Sequence, residues 1–269
     1  MIRQASLVSR EDPRYNIRVL DRAFRILSLL TDGKPRTLAE ISESIDLSSS
    51  TTFRMLSTLS YHRYVRRNEM TNQYQLGLAC LELAQGYTFS DNLRRVALTE
   101  LEALRDETKE TVHLVVLDQM QIVYIEKIPG LHAIGIMSSS VGRHAPAYCT
   151  GVGKVLLAYL KEDQVRSYYD QNGFHGFTST TITDLDLLMQ QLDQIRRQGY
   201  ALDKGEHEDE VRCVAAPIFD MEGKAVAAIS VSGPALRIDP IEENTELIDR
   251  AKETALRISK EMGYLANKS

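Results

Sequence analysis

Two serines stand two positions apart near the end of an apolar run, Lys224–Gly233, whose residue types are typical of a β-strand. Because successive side chains of a strand alternate between its faces, Ser230 and Ser232 should point the same way, about 7 Å apart. The other face of this run carries only apolar side chains, which is typical of core. The spacing therefore predicts a pair of hydroxyl groups on one surface, able to bind a polar group of a ligand.

The preceding apolar run, Val211–Phe219, is separated from the first by a short turn that ends in glycine, which predicts a β-hairpin. If the faces of the two strands align, Cys213 lies near Ser230 and Ser232, and Val211 supplies an apolar wall. The result is a small polar cup without charge. Its donors suit the carboxylate or the hydroxyl groups of a small molecule.

A second group of donors is predicted where glycines open a helix, in the run Thr150-Gly151-Val152-Gly153-Lys154. The first N–H groups of a helix have no partner within it, so those of Gly151 and Val152 could hold an anion at the positive end of the helix dipole. The alternative is a tight turn, because the spacing of a nucleotide-binding phosphate loop is absent. Asp203 could accept a hydroxyl group of the ligand, or it could be a solvated carboxylate in a turn.

The same residue types allow an enzyme, since Cys213, His207 and Asp203 could serve as nucleophile, base and orienting acid of a cysteine-dependent hydrolase. Cys213 has apolar neighbours, however, which is typical of an ordinary buried thiol, and His207 lies in an acidic, solvated-looking stretch. A metal site built from His144, Cys149, His207 and Cys213 lacks the close spacing of metal-binding motifs. We therefore expect no catalytic residue, no metal and no cofactor.

Another polar cluster lies near the N-terminus, at the start of a helix predicted from the cap Ser48 to about Tyr61, with Phe53, Leu56 and Leu59 as its buried stripe. Its first turns carry small hydroxyl side chains and one cation. Such residues at a helix N-terminus can approach phosphates and base edges. They are Ser49, Ser50, Thr51, Thr52 and Arg54.

The elements around this helix predict a winged helix-turn-helix. An amphipathic helix covers Leu20–Leu30, and Thr37 with Glu40 forms a capping box for a second short helix. Two strand-like runs, Tyr64–Arg67 and Gln73–Leu76, follow the third helix as a hairpin. A protein-binding helical module is the alternative. The candidate DNA contacts are Thr37, Ser48, Ser49, Ser50, Thr51, Thr52, Arg54, Arg66 and Arg67.

The charge of the chain also differs between its N-terminal part and the remainder. The net charge is −5, but residues 1–78 hold 12 Lys and Arg against 8 Asp and Glu, a charge of +4, whereas the remainder carries −9. A difference in sign between two parts of a chain is a hint that one part faces a polyanion.

The 269 residues suffice for about two domains, and 43% hydrophobic with 26% charged residues is ordinary for a globular protein. Three distant cysteines do not suggest a disulfide framework, and no apolar stretch approaches the ~20 residues of a membrane span. We expect a cytoplasmic protein with no membrane partner. Beyond two helical segments up to Thr108, the pattern predicts an α+β domain with strands 111–118, 121–128, 131–137, 211–219 and 224–233 and helices 151–160, 184–198 and 239–262.

Four segments resemble the IclR family of bacterial transcription regulators: Val19-Leu20-Asp21-Arg22-Ala23, Leu38-Ala39-Glu40-Ile41, Leu47 through Leu56, and Tyr74-Gln75-Leu76-Gly77. Ser49 replaces a basic residue that is usual in the family, and Phe53 replaces a His or Tyr. Further segments, including Val123-Tyr124-Ile125-Glu126-Lys127-Ile128, are most similar to the sugar-acid branch typified by the ketodeoxygluconate regulator. The similarity extends from about Ile17 to Gly263.

The resemblance implies an N-terminal tail 1–16, a winged helix-turn-helix DNA-binding domain 17–77, a linker helix 78–90 and a GAF-like effector-binding domain 91–266. It implies a homodimer or a dimer of dimers on a pseudo-palindromic operator in double-stranded DNA, acting as a repressor of a catabolic operon. Relatives hold small organic acids such as glyoxylate or pyruvate, and a polyhydroxy acid is our first expectation here. A sensor that acts only through protein partners is the alternative. The effector positions that match are Gly151, Val152, Asp203, Val211, Cys213, Ser230 and Ser232.

Overall fold

A computed structural model describes residues 17–85, 88–132 and 137–265. The tail predicted for residues 1–16 lies outside these ranges. The chain divides into two compact units, one ending at Thr88 and the other beginning at Phe89. Each unit has a core of its own.

The first unit has the order of elements expected of a winged helix-turn-helix. Three helices are followed by a hairpin, and the short strand β1 joins the hairpin to form a sheet with the order β1-β3-β2. The predicted fold class is confirmed for this unit. The elements are α1 Arg18–Leu29, β1 Arg36–Thr37, α2 Leu38–Ser44, α3 Ser49–Tyr61, β2 Val65–Arg67, β3 Gln73–Leu76 and α4 Ala79–Gln85.

Side-chain caps begin both helices of the helix-turn-helix. The Glu40 N–H donates to Thr37 Oγ1 at 3.3 Å, and the Thr37 N–H donates to the Glu40 carboxylate at 2.7 Å, which completes the predicted capping box. The Thr51 N–H donates to Ser48 Oγ at 3.4 Å. Caps of this kind stabilise a helix by about 1 kcal/mol each, so Thr37 and Ser48 set the place where α2 and α3 start.

The buried stripe of α3 differs from the prediction. Thr52, Met55 and Leu56 face the core, whereas Phe53 is 48% exposed. The Thr52 hydroxyl donates to the Ser48 carbonyl, which satisfies it inside the core. The prediction is confirmed for Leu56, and Leu59 packs against the same core. It was wrong for Phe53, because the aromatic ring was taken as core and the amphipathic Thr52 as surface.

The second unit is built on an antiparallel sheet with the order β6-β5-β4-β9-β8-β7 among the described residues. This arrangement confirms the predicted α+β class. The elements are α5 Thr88–Thr108, β4 Thr111–Asp118, β5 Gln121–Ile128, β6 His144–Pro146, α6 Gly151–Ala158, α7 Glu162–Asn172, α8 Leu185–Gln198, β7 Ala201–Asp203, β8 Val211–Phe219, β9 Ala225–Pro234, α9 Ala235–Ile238 and α10 Thr245–Glu261.

Helices cover both faces of this sheet. On one face, α5 and α10 pack against apolar side chains that include Val214 of β8 and Ile229 of β9. On the other face, α6, α7 and α8 pack against Ala215 of β8 and Ala228 of β9. Because strand side chains alternate, Cys213, Ser230 and Ser232 all lie on the α6 face.

Two boundaries differ from the sequence prediction. The terminal helix begins at Thr245 rather than Asp239, since Asn244 caps it by accepting from the Leu247 N–H at 3.1 Å. Most of the strand predicted over 131–137 falls on residues 133–136, outside the described residues, and Leu131 and His132 are not in a strand. No helix in the described part of the chain is long and apolar enough to span a membrane.

Candidate functional site

A row of polar side chains crosses the α6 face of the sheet. In the strand register, Asp203 lies opposite Cys213, Cys213 lies opposite Ser232, and Ser230 lies opposite His113. The hairpin of β8 and β9 therefore brings Cys213 beside the serines, as strand parity predicts. The two hydroxyl oxygens are 3.2 Å apart, closer than the backbone spacing alone implies.

A cavity of about 440 Å³, including its open mouth, lies above this row. Its lining includes all seven residues that we expected to bind an effector: Gly151, Val152, Asp203, Val211, Cys213, Ser230 and Ser232. It also includes Thr150, which belongs to the predicted run 150–154, and His207, which we had considered only as a base or metal ligand. The residues of the lining that the sequence did not suggest are His113, Tyr124, Met137, Ser139 and Glu208.

The start of α6 forms one wall of this cavity. Thr150 caps the helix by accepting from the Gly153 N–H at 3.2 Å, which leaves the N–H groups of Gly151 and Val152 without an acceptor among the described residues. A Cβ atom on Gly151 would lie 3.1 Å from Cys213 Sγ and 3.3 Å from Ala215 Cβ. Glycine here lets the helix start lie directly on the strands, and Gly151 and Val152 line the cavity together with the serines.

Asp203 is buried in the cavity wall, so the alternative of a solvated turn carboxylate is wrong. One carboxylate oxygen, Oδ1, accepts from the N–H groups of Gly205 at 3.0 Å and Glu206 at 2.8 Å. Burial raises the pKa of Asp203, and the nearby Lys154 ammonium opposes that rise. The second oxygen, Oδ2, accepts no hydrogen bond from the described residues and is free to bind a ligand.

A buried lysine holds the segment that carries Asp203. The Lys154 side chain is 1% exposed, and Nζ donates to the Leu202 carbonyl at 3.0 Å, to the Gln191 side chain at 3.1 Å and to the Glu206 carboxylate. Its acceptors therefore include residues on either side of Asp203. Burial raises the pKa of Glu206, and the charge of Lys154 lowers it.

His113 is a buried part of the site that sequence reasoning missed. Its ring is 3% exposed, with Nε2 2.9 Å from Ser139 Oγ and Nδ1 3.3 Å from Ser230 Oγ. Burial, followed by the charge of Lys127, lowers the pKa of His113 to about 3, so the imidazole is neutral at neutral pH. A lone histidine in the apolar run Thr111–Asp118 was the signal that could have found it.

The lowered pKa of His113 predicts that the second unit loses stability in mild acid. The unfolded chain binds a proton near pH 6.5 and the folded chain only near pH 3, so the free energy of unfolding falls as the pH drops between these values. Between pH 7 and pH 5 we expect a loss of about 2 kcal/mol. Urea unfolding of wild type and of His113→Asn at each pH measures it.

The His113→Asn variant lacks this contribution to the pH dependence of stability. The free energies of unfolding of wild type and variant should therefore converge as the pH falls towards 5. The exposed His144→Asn variant should follow the wild-type profile, because its ring is not buried. Parallel profiles for wild type and His113→Asn would contradict the neutral, buried state of the ring.

Two observations count against a cysteine hydrolase in this cavity. Burial raises the pKa of Cys213 to about 12, whereas an activated nucleophile needs a lowered pKa. The His207 ring packs against Phe177 at 4.8 Å, and no hydrogen bond joins it to Cys213 among the described residues. The part of the chain that the structure describes also holds no cluster of three or more His, Cys, Asp or Glu side chains suited to a metal ion.

The candidate DNA-binding surface of the first unit is the outer face of α3. Ser49, Ser50 and Arg54 are exposed there and Thr51 is half-buried, while the prediction for Thr52 is wrong because that side chain is fully buried. Phe53 lies on the exposed face beside Arg54. Thr37 and Ser48 use their hydroxyl groups as helix caps.

The predicted arginines of the wing are exposed on the β2–β3 hairpin. The Arg67 guanidinium donates to the Asn72 side chain and lies 5.9 Å from the centre of the Tyr74 ring. Arg66 lies beside Gln75, whose amide oxygen can accept from the guanidinium at 2.9 Å. Both cations are therefore held in place on the hairpin.

Comparisons with known proteins match both units. A family model described as the IclR helix-turn-helix domain matches residues 19–69, and one described as the bacterial transcriptional regulator IclR C-terminal domain matches residues 85–260. The transcriptional regulator KdgR of Escherichia coli K12 is 36% identical over 90% of this chain and 92% of its own length. The transcriptional repressor IclR of the same strain is 32% identical over 89% of each chain. The crystal structure of Thermotoga maritima IclR superposes with a TM-score of 0.75 at 33% identity, over 93% of this chain and 100% of that one.

Proposed function

Because this chain belongs to the IclR family of bacterial transcriptional regulators, we propose that it represses a catabolic operon until a small organic acid binds in the cavity of its second unit. It is a DNA-binding transcriptional regulator with a C-terminal effector domain. The relative IclR of Escherichia coli is a transcriptional repressor, and repression is part of the proposal here. The site of action is the cytoplasm, where the operator is.

One observation carries the choice of effector: four hydrogen-bond donors line the same cavity. They are the N–H groups of Gly151 and Val152 and the hydroxyl groups of Ser230 and Ser232. A helix N-terminus with adjacent hydroxyl groups suits a carboxylate, which accepts through both oxygens.

The rest of the cavity supports an acid that also carries hydroxyl groups. Asp203 and Glu208 line it as carboxylates, and Oδ2 of Asp203 is free to accept from a ligand hydroxyl group. These acceptors repel a second negative charge and attract a donor. The proposal is therefore a monocarboxylic, polyhydroxy acid rather than a dicarboxylate, which agrees with the resemblance to the sugar-acid branch.

The test of the effector site is the double variant Ser230→Ala with Ser232→Ala. Each hydrogen bond to a charged acceptor contributes about 1.5–3 kcal/mol, so the affinity for the acid should fall about a hundredfold or more. Thermal stabilisation across a panel of sugar acids, keto acids and aromatic acids identifies the acid, and calorimetry measures the affinity.

The double variant should bind operator DNA as the wild type does but no longer respond to the acid. The control is Ser167→Ala, which removes the same group from an exposed position on α7. A normal response of the double variant would show that the acid binds elsewhere. Turnover of the acid by the purified protein would favour the hydrolase instead.

Binding of DNA by α3 is tested with Arg54→Ala. Removing one phosphate contact should reduce the slope of log affinity against log salt by about 1 and weaken binding at all sequences. The probe is double-stranded DNA selected from a random library by the wild-type protein. Lys224→Ala makes the same change in charge in the other unit and should leave both affinity and slope unchanged. If the wild type showed no salt-dependent affinity for DNA, the alternative of a sensor that acts only through protein partners would be favoured instead.

Self-association is part of the proposal because the first unit exposes two apolar rows. Ile17, Leu20 and Phe24 are each more than half exposed on or beside α1, and Leu78 and Leu81 are equally exposed at α4. Rows of this kind on a soluble domain are typical of a protein interface. A dimer, alone or paired into a tetramer, would bring two α3 helices to a pseudo-palindromic operator.

A further inference from the structure

We propose that His113 is a positioning residue whose ring tautomer is coupled to the bound acid, because an anion that accepts from both Ser230 and Ser232 is compatible with only one tautomer of the ring. The inference rests on the proposed function, since it concerns the same cavity. It adds a role for a residue that contacts the serines rather than a second site.

The geometry places His113 at the centre of a chain of hydroxyl groups. Nδ1 lies 3.3 Å from Ser230 Oγ and 3.5 Å from Ser232 Oγ, and Nε2 lies 2.9 Å from Ser139 Oγ. The two serine oxygens of β9 are themselves 3.2 Å apart. The ring therefore joins the floor of the cavity to the segment that carries Ser139.

The number of hydrogen atoms in this chain decides the tautomer. Each serine hydroxyl has one hydrogen, and a neutral imidazole has one N–H. When a carboxylate accepts from both Ser230 and Ser232, neither hydrogen remains for Nδ1. The contacts of Nδ1 are then hydrogen bonds only if Nδ1 carries the proton and donates to a serine oxygen.

The ring stays neutral while it does this. It is buried beside the aromatic ring of Tyr124, and the Lys127 ammonium disfavours a second positive charge. With the proton on Nδ1, Nε2 is an acceptor, so Ser139 must turn its hydroxyl hydrogen towards the ring. A ligand that donates to the serines, such as an alcohol or an amine, allows the opposite tautomer. The arrangement of hydrogen-bond donors and acceptors in the cavity wall therefore differs between the two classes of ligand.

The segment that Ser139 belongs to is bound to the cavity at two further points. The Ser138 hydroxyl donates to the Glu208 carboxylate at 2.7 Å, and Lys127 Nζ donates to the Ser139 carbonyl at 2.6 Å. Both Ser139 and Glu208 line the cavity. Binding of the acid is thus linked, through the tautomer of His113, to the orientation of the Ser139 hydroxyl group. The segment that carries Ser139 also contacts the loop carrying Glu208.

The experiment observes the tautomer directly by ¹⁵N-histidine NMR of the full chain, with two-bond correlations that distinguish Nδ1–H from Nε2–H. The His113 signals are assigned by their absence from His113→Asn. Glyoxylate, pyruvate and gluconate are the acids, each at a concentration shown to saturate by calorimetry, and sorbitol is the neutral control. The expected result is that a bound acid places the proton on Nδ1 alone. A bound acid with the proton on Nε2, or on both nitrogens, overturns the inference and leaves the proposed function standing.

Two variants make the same inference testable through affinity. His113→Asn keeps an N–H donor near the position of Nδ1, whereas His113→Leu removes it. Affinity for the acid should fall about tenfold in His113→Leu, and His113→Asn should restore most of it. Equal affinities in both variants, with normal circular dichroism, overturn the inference. If the wild type binds neither these three acids nor any acid of the wider panel, the proposed function fails, and the inference fails with it.

Discussion

Replacing Gly153 by alanine should destabilise the second unit by more than about 3 kcal/mol. A Cβ atom at this position would lie 2.2 Å from the Ala147 carbonyl oxygen and 2.4 Å from its Cα, and 2.6 Å from Oγ1 of the capping Thr150. Two of these neighbours are backbone atoms in a buried turn, so neither can rotate away. The new methyl group can fit only if α6 moves off that turn, which disrupts the packing of a completely buried helix.

The measurement is thermal and urea unfolding, with the two units followed as separate transitions where they separate. Gly176→Ala is the matched control, because its Cβ would meet nothing closer than Thr183 Cγ2 at 3.9 Å. That variant should stay within about 0.5 kcal/mol of wild type. A Gly153→Ala protein as stable as the control would contradict the close approach of α6 to the turn, and with it the position of the Gly151 and Val152 donors.

The part of the polar cup on β8 and β9 could be predicted from the sequence, because local rules fix the geometry of a hairpin. The turn at 220–223 sets the register of β8 on β9, and parity then places Cys213 beside Ser230 and Ser232. Gly151 and Asp203 were suggested by their residue types and surroundings, and the family resemblance selected the same positions. Their nearness to Cys213 depends on contacts between distant elements that no local pattern encodes.

The position of His113 beside Ser230 could not be predicted from strand parity alone. It pairs with Ser230 across strands 117 positions apart in the chain, and this pairing is set by the packing of the whole sheet. The helix α7 was missed for a related reason. Only Val165 and Tyr169 are buried along its length, so the apolar period is too weak to mark a helix.

The wrong prediction of which side chain is buried, Thr52 or Phe53 on α3, has a different cause. Both residues fit a helical stripe that contains Leu56, and hydrophobicity favoured the aromatic ring. The structure buries threonine instead because its hydroxyl is satisfied by the Ser48 carbonyl within the same turn. The phenyl ring is left on the face with Arg54, where an apolar side chain can contact a thymine methyl group.

Replacing Lys154 by methionine should destabilise the second unit by about 3–5 kcal/mol at neutral pH. The substitution keeps the apolar volume but removes the ammonium group, which leaves the buried Glu206 carboxylate without its counter-charge. One oxygen of that carboxylate, Oε2, accepts no hydrogen bond from the described residues, and Lys204 lowers the pKa of Glu206 less than Lys154 does, so the loss is compensated only in small part. Urea unfolding of the variant measures the effect.

A dependence on pH distinguishes loss of the charge pair from a general packing defect. Burial raises the pKa of Glu206 and Lys154 lowers it, so the pKa should rise further in Lys154→Met. A carboxyl group with a raised pKa in the folded state costs stability as the pH increases above the unfolded value and costs nothing when both states are protonated. The loss caused by Lys154→Met should therefore shrink as the pH falls from 8 to 5, whereas a packing defect would be the same throughout.

The double variant Lys154→Met with Glu206→Gln completes the cycle, because a neutral amide no longer needs the ammonium group. It should recover most of the stability lost by Lys154→Met, since a buried ion pair contributes little once its desolvation is counted. Affinity for the acid should not recover with it, because the Leu202 carbonyl also loses its bond to Nζ and Asp203 loses its fixed position. Recovery of both quantities together would mean that Lys154 only neutralises Glu206. Recovery of stability alone would show that the lysine also holds Asp203 where a ligand hydroxyl group can reach it.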